Sequence, residues 1–297
     1  AIGNYCGASP AHIVVGNGST ELISLLISQR APKKALLLGP TYSEYNRELS
    51  LINASTETYL LQEEDDFLLN ADDFLSACTE DIDLVIICNP NNPTSSAIQT
   101  GDMERIIREC KKRNIFVMID ETYVEFAPCI EEITAIPLTK RYDNLMVIRG
   151  VSKFYAAPGL RFGYGITSSE AFLKSLHQHQ NPWSLNSVGA YTGELMLKDT
   201  DYFRETRALI LSERERMFAR LSHMDGYKPY AAYGNFILVR ILKEGLTSFD
   251  VFEAAIKNRL MIRDCSSFES LTGEYIRFCI MNPEDNDRLL HVLNSLI

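Results

Sequence analysis

Along the first 170 residues, short apolar runs of β-type alternate with longer amphipathic segments. The runs fall at 35–38, 56–61, 83–88, 116–119, 145–148 and 162–166, and helical segments at 20–29, 42–52, 71–78 and 102–113. That alternation predicts an α/β unit with a mostly parallel sheet flanked by helices. In such sheets ligands sit beyond the carboxyl ends of the strands, so the residues that follow each run matter most. From 186 to 224 the pattern is mainly helical with a charged middle. After Pro229 come a strand at 235–241, a helix at 249–259, strands at 260–263 and 275–280, and a terminal helix at 284–296. We therefore expect a large α/β domain over 1–185, then connecting helices and a smaller α+β domain over 186–297. There are no repeats and no low-complexity linker.

Composition narrows the class. Of 297 residues, 46% are hydrophobic and 23% charged, which is ordinary for a globular enzyme. A formal charge of −10 argues against nonspecific binding to nucleic acid or anionic membranes. Seven cysteines with no CxxC pair suggest reduced thiols in a cytoplasmic protein, not a disulfide framework or zinc site. Cys88, inside DLVIICNP, reads as a buried structural thiol. No signal peptide and no apolar stretch of membrane-spanning length is found. The chain opens without methionine and reaches a glycine-rich turn by residue 16, as expected of a fragment, a processed product or part of a longer polypeptide.

The chemistry-bearing residues follow the runs. In GNGSTE, Ser19 and Thr20 stand where they would cap the helix that follows, leaving its amides and positive end facing an anion. An ordinary glycine turn fits the same string, and it matches neither GxGxxG nor GxxxxGK[ST]. Tyr42, in GPTYSEY, is either a core aromatic or a face for a ring to lie against. Asn92, in NPNNPTS, is an Asx turn or a hydrogen-bond donor to a ligand. Asp120 ends the FVMI run, with Tyr123 three places on. There a carboxylate serves as a strand-end cap or keeps a pyridine nitrogen protonated. In VSKFYAAPGLRFGY, Ser152 and Lys153 precede Arg161. That spacing suits pyridoxal 5'-phosphate (PLP): the lysine amine condenses with the cofactor aldehyde, and the serine and arginine hold its phosphate.

With these strings in this order, the chain from GNGSTE to its C-terminus resembles the fold-type I PLP enzymes of the class I/II aminotransferase superfamily. The resemblance implies that Lys153 carries the cofactor, Asp120 meets its ring nitrogen, Tyr123 and Asn92 bind its phenolic oxygen, and Tyr42 stacks on the ring. Ser19, Thr20, Ser152 and Arg161 match the phosphate cup, and Arg277, in YIRFCI, the arginine that grips the substrate's acidic group. GNGSTELI, PTYSEY and DETYVEF resemble the branch of histidinol-phosphate aminotransferase and L-threonine-O-3-phosphate decarboxylase. KFYAAPGLRFGY, NPWSLN and LMIRDCSSFESLTGEYIRFCI lean toward the decarboxylase. Arg263, in the last string, is then a second ligand for a substrate anion, or else a salt bridge at a strand end. If the arginines hold a phosphate, the substrate α-carboxylate is free to leave; if Arg277 holds that carboxylate, the Cα–H bond is the one that breaks.

The expected substrate is thus a small, phosphorylated amino acid, with decarboxylation read ahead of transamination. A PLP-binding domain of a longer bifunctional or regulatory protein is a further alternative. The family also implies a homodimer with active sites at the interface. The family's N-terminal arm has no counterpart in this sequence.

Overall fold

The computed structural model describes all 297 residues. Seven strands form the main sheet: β1 (Ile13–Asn17), β2 (Lys34–Gly39), β3 (Ser55–Leu60), β4 (Leu84–Cys88), β5 (Phe116–Asp120), β6 (Leu145–Gly150) and β7 (Phe162–Ile166). Their order is β1-β7-β6-β5-β4-β2-β3. Strands β2 to β6 run parallel, while β7 is antiparallel to both β6 and β1. The mostly parallel sheet is therefore present, with an antiparallel edge.

The central runs are apolar throughout because both faces are covered. On β4, Leu84, Ile86 and Cys88 join one core while Val85 and Ile87 join the other. On β5, Phe116 and Met118 share the first core and Val117 and Ile119 the second. Helices α2 (Ser19–Arg30), α3 (Glu44–Leu51) and α6 (Glu170–His179) cover the first face with Leu22, Leu26, Tyr45, Leu49 and Leu176. Helices α4 (Ala71–Ala77) and α5 (Thr100–Lys112) cover the second with Phe74, Ile106 and Ile107, while α8 (Thr200–Ser222) packs on the C-terminal part of the chain. A one-turn helix, α1 (Ile2–Cys6), precedes β1, and α7 (Ser187–Met196) lies between α6 and α8.

A second, antiparallel sheet is built from β8 (Tyr227–Pro229), β9 (Phe236–Ile241), β10 (Arg263–Asp264) and β11 (Tyr275–Cys279), in the order β10-β11-β9-β8. Helices α9 (Ser248–Lys257) and α10 (Pro283–Asn294) accompany it. The strand expected at 260–263 contracts to the two residues of β10. Leu260 and Ile262 are buried singly, Met261 is exposed, and only Arg263 and Asp264 pair with β11. The second sheet is tied to the first by Glu63, which accepts a hydrogen bond from the Tyr230 hydroxyl (2.5 Å) and pairs with Arg240. No helix is long and apolar enough to cross a membrane.

Candidate active site

At the carboxyl ends of β4, β5 and β6 a cavity of about 300 Å³ opens, the size of a small-ligand site. Its wall contains ten of the eleven residues singled out from sequence, with Arg263 the exception. The charged groups lining it are Lys153, Arg161 and Arg277 against one carboxylate, Asp120. A chain of net charge −10 thus keeps a locally cationic cavity, as an anionic ligand requires.

One end is a cradle for an anion. Between β1 and α2, Gly18 adopts φ 82, where only glycine sits without strain, and the helix begins at Ser19. Ser19 and Thr20 therefore do not cap α2 as expected. Gly18 is the N-cap, and the two residues form the first turn. No side chain caps the helix, which leaves its first amides and positive end for a ligand. Arg161 closes the cradle from the far side, at φ 51, donating to the carbonyls of Pro158 (3.2 Å) and Asn17 (3.4 Å). A Cβ on Gly18 would lie 2.5 Å from the Arg161 guanidinium, and one on Gly163 of β7 would lie 2.4 Å from the Ser19 amide nitrogen. Backbone and guanidinium approach this closely only because both positions are glycine. Ser152 stands on the same wall.

Asp120 ends β5. Strand alternation places it on the face of Phe116 and Met118, toward α3. It is buried, and its Oδ1 accepts from the Thr122 amide (2.9 Å) while its Oδ2 accepts from the Tyr45 hydroxyl (2.8 Å). Burial pushes this carboxyl above its ordinary value; the bonds from Thr122 and Tyr45 and the charge of Lys153 work against that. Tyr123 lies edge-on to Phe236 at 5.0 Å, and burial, helped by Cys88, raises its hydroxyl so that it stays a neutral donor. The Lys153 amine lies 5.9 Å from the Tyr123 ring centre, and Lys153 forms no salt bridge. Tyr42 is half-buried, edge-on to Tyr45.

Arg277 Nη1 donates to Asn92 Oδ1, and its guanidinium lies over Phe236 at 5.0 Å. It has no carboxylate partner. Arg263 is its cross-strand neighbour in the β10–β11 pair, but turns into an adjoining groove and donates to Ser267 Oγ (2.7 Å). Neither alternative read for it is realised as such: it forms no salt bridge, and it stands beside the cavity without lining it.

Sequence reading missed Tyr45 and Thr122, which line the cavity together with Cys88, the thiol read as buried and structural. Tyr45 was signalled only by its place one helical turn after Tyr42, and Thr122 by its Asx-turn position two residues after Asp120.

The residues present fit PLP. A cradle of helix amides and Arg161 suits a phosphate, Asp120 a pyridine nitrogen, and Lys153 an aldehyde.

Comparison with known proteins agrees. The sequence profile of the family described as aminotransferase class I and II matches residues 2–293. The threonine-phosphate decarboxylase of Salmonella typhimurium is 32% identical over 285 residues, covering 96% of this chain and 77% of that protein. A histidinol-phosphate aminotransferase from Thermoanaerobacter pseudethanolicus is also 32% identical, over 299 residues covering 100% of this chain and 81% of its own. The crystal structure of the histidinol-phosphate aminotransferase from Clostridium acetobutylicum superposes with a TM-score of 0.92 at 30% identity, covering 99% of this chain and 86% of that one.

Proposed function

This chain belongs to the aminotransferase class I and II family and is a PLP-dependent enzyme; from that premise we propose that it acts on a small phosphorylated amino acid, as a threonine-phosphate decarboxylase does. The observation that carries the reading is the placement of Arg277 on the cavity wall, free of any carboxylate and so available to a substrate anion. A guanidinium fork with no carboxylate partner suits a phosphate. The curated decarboxylase relatives support it as well.

In this reading Ser19, Thr20, Ser152 and Arg161 bind the cofactor phosphate, and Lys153 carries the cofactor. Asp120 keeps a proton on the ring nitrogen. Tyr123 donates to the phenolic oxygen. Because Asn92 Oδ1 is taken by Arg277, its Nδ2 is the atom left to donate there. Tyr42 lies against the ring. When bound, the cofactor supplies an electron sink for whichever bond at the substrate Cα breaks. Arg277 decides which bond that is: if it holds the distal phosphate, the carboxylate is left free to depart. Lys153 Nζ then holds the proton that is delivered to Cα.

Transamination of histidinol phosphate is the second reading, favoured by the close match to that enzyme's structure. The test is a product assay with L-threonine phosphate and, separately, histidinol phosphate. Release of CO₂ with the cofactor still aldehyde-derived supports decarboxylation; conversion to pyridoxamine phosphate without CO₂ overturns it for transamination.

We also propose a homodimer. Val188, Tyr191 and Leu195 form an exposed stripe on α7, with Trp183 (89% exposed) just ahead of it. This segment adjoins the cradle, since Asn186 donates to the Leu160 carbonyl next to Arg161. The division of the chain at residue 185 is proposed on similar footing, supported by the two separate sheets.

A further inference from the structure

Tyr45 takes no part in the scheme above, yet its phenol is fully buried beside the cavity. Its hydroxyl donates to Asp120 Oδ2 at 2.8 Å, while Oδ1 accepts both the amide (2.9 Å) and the hydroxyl (2.5 Å) of Thr122. An ionised carboxylate offers about four acceptor positions, two on each oxygen. Thr122 fills those on Oδ1 and Tyr45 fills one on Oδ2, so a single position remains, on Oδ2. Asp120 lines the cavity, so that position is the one available to a ligand.

We propose that Tyr45 is a positioning residue: together with Thr122 it pins the Asp120 carboxylate, keeps it ionised, and leaves one acceptor for one N–H of a protonated ring nitrogen. The inference rests on the reading that Asp120 meets the cofactor's ring nitrogen. The groups facing Asp120 are Cys88 from the end of β4, Tyr42 and Tyr45 from α3 and the turn before it, Tyr123 and Thr122 from the turn after β5, and Lys153 from the turn after β6. Burial raises the thiol and all three phenols, so they stay neutral and Lys153 is the one charge near the carboxylate. Tyr45 thus acts through its hydrogen bond and the orientation it imposes. No other donor on that side replaces it: Cys88 spends its thiol hydrogen on the Pro90 carbonyl (3.2 Å).

The test is PLP affinity measured by equilibrium dialysis from pH 5 to 9 on the apoprotein, for wild type, Tyr45→Phe, Asp120→Ala and the double variant, each checked by thermal melting. A hydrogen bond to a buried charge has the strength to shift Asp120 by about one pH unit. The acid limb of the Tyr45→Phe profile should therefore move up by about one unit, with affinity down roughly tenfold on that limb and little change at pH 9. In the Asp120→Ala background, Tyr45→Phe should change nothing further. A wild-type limb in Tyr45→Phe, or a pH-independent loss that persists without Asp120, overturns the positioning role. Wild-type affinity and limb in Asp120→Ala instead overturn the Asp120 reading beneath it. If Tyr45→Phe does not fold, Thr122→Val removes another donor from the same carboxylate and must show the same shift.

Discussion

Lys153 and Glu125 illustrate how differently two titratable residues can stand. Lys153 lies on the cavity wall without an ionic partner, available to an aldehyde. Lys153→Ala should lose the absorbance of the bound cofactor and the label fixed by borohydride, with turnover down by roughly a thousandfold or more. Label persisting in the variant would mean another amine carries the cofactor. Glu125 is buried away from the cavity. Arg149 bonds Glu121 through two nitrogens (2.9 and 2.6 Å), but reaches Glu125 only at 3.7 Å, and Glu125 Oε2 has no partner. Burial pushes the Glu125 carboxyl up to about 7, from 4.5. An acid whose folded value is raised takes up a proton on folding between those two values. Its contribution to stability is therefore fullest below about pH 4.5, falls as pH rises to about 7, and is level above. The loss is on the order of 3 kcal/mol. Urea unfolding across that range should show Glu125→Gln with a correspondingly flatter slope than wild type. Lys153, Asp120 and Arg161 were legible in sequence because residue type and strand-end placement alone announce their chemistry. Tyr45 and the Arg149–Glu121–Glu125 cluster were not. Their partners lie 75, 28 and 24 residues away, so no local string signals them.

At the scale of elements, the turn from β1 into α2 carries the most specific demand. Gly18 needs both its left-handed backbone and its missing Cβ. Gly18→Ala should cost about 1 kcal/mol of stability from backbone strain alone. The larger effect should be on PLP affinity, weakened at least roughly tenfold as Arg161 is pushed aside. Dialysis on the folded variant measures it, and unchanged affinity would separate Arg161 from the phosphate cup. The strand runs were readable because doubly covered strands are apolar at every position. The boundary of α2 was misplaced by one residue because Ser and Thr are good caps, and only the φ of Gly18 shows that glycine already does the turning. Helix α6 went unread: EAFLKSLHQH buries just Phe172, Leu173 and Leu176, too short a stripe to stand out. Strands β8 and β10, of three and two residues, exist only through pairing with β9 and β11.

For the whole molecule, the stripe on α7 sets the test of assembly. Tyr191→Glu places a charge in the middle of that apolar face, and a buried, unpaired charge is costly. Light scattering should show wild type at twice the chain mass of 33.6 kDa and the variant shifted toward a single chain. A wild-type monomer would remove the dimer from the proposal.

The antiparallel edge of the main sheet has one more implication, for the order of events during folding. Strand β1 comes first along the chain, yet its sole neighbour in the sheet is β7, about 145 residues later. A growing polypeptide cannot seat β1 until β7 has emerged and docked on β6. Only then do Gly18 and Arg161 meet. Cofactor capture thus reports a late, long-range closure, the kind that is intrinsically slow. A ligand that binds only the closed form also draws that closure to completion by mass action. Vitamin supply would then govern how much of the newly made chain reaches its native state, not merely how much of it is active.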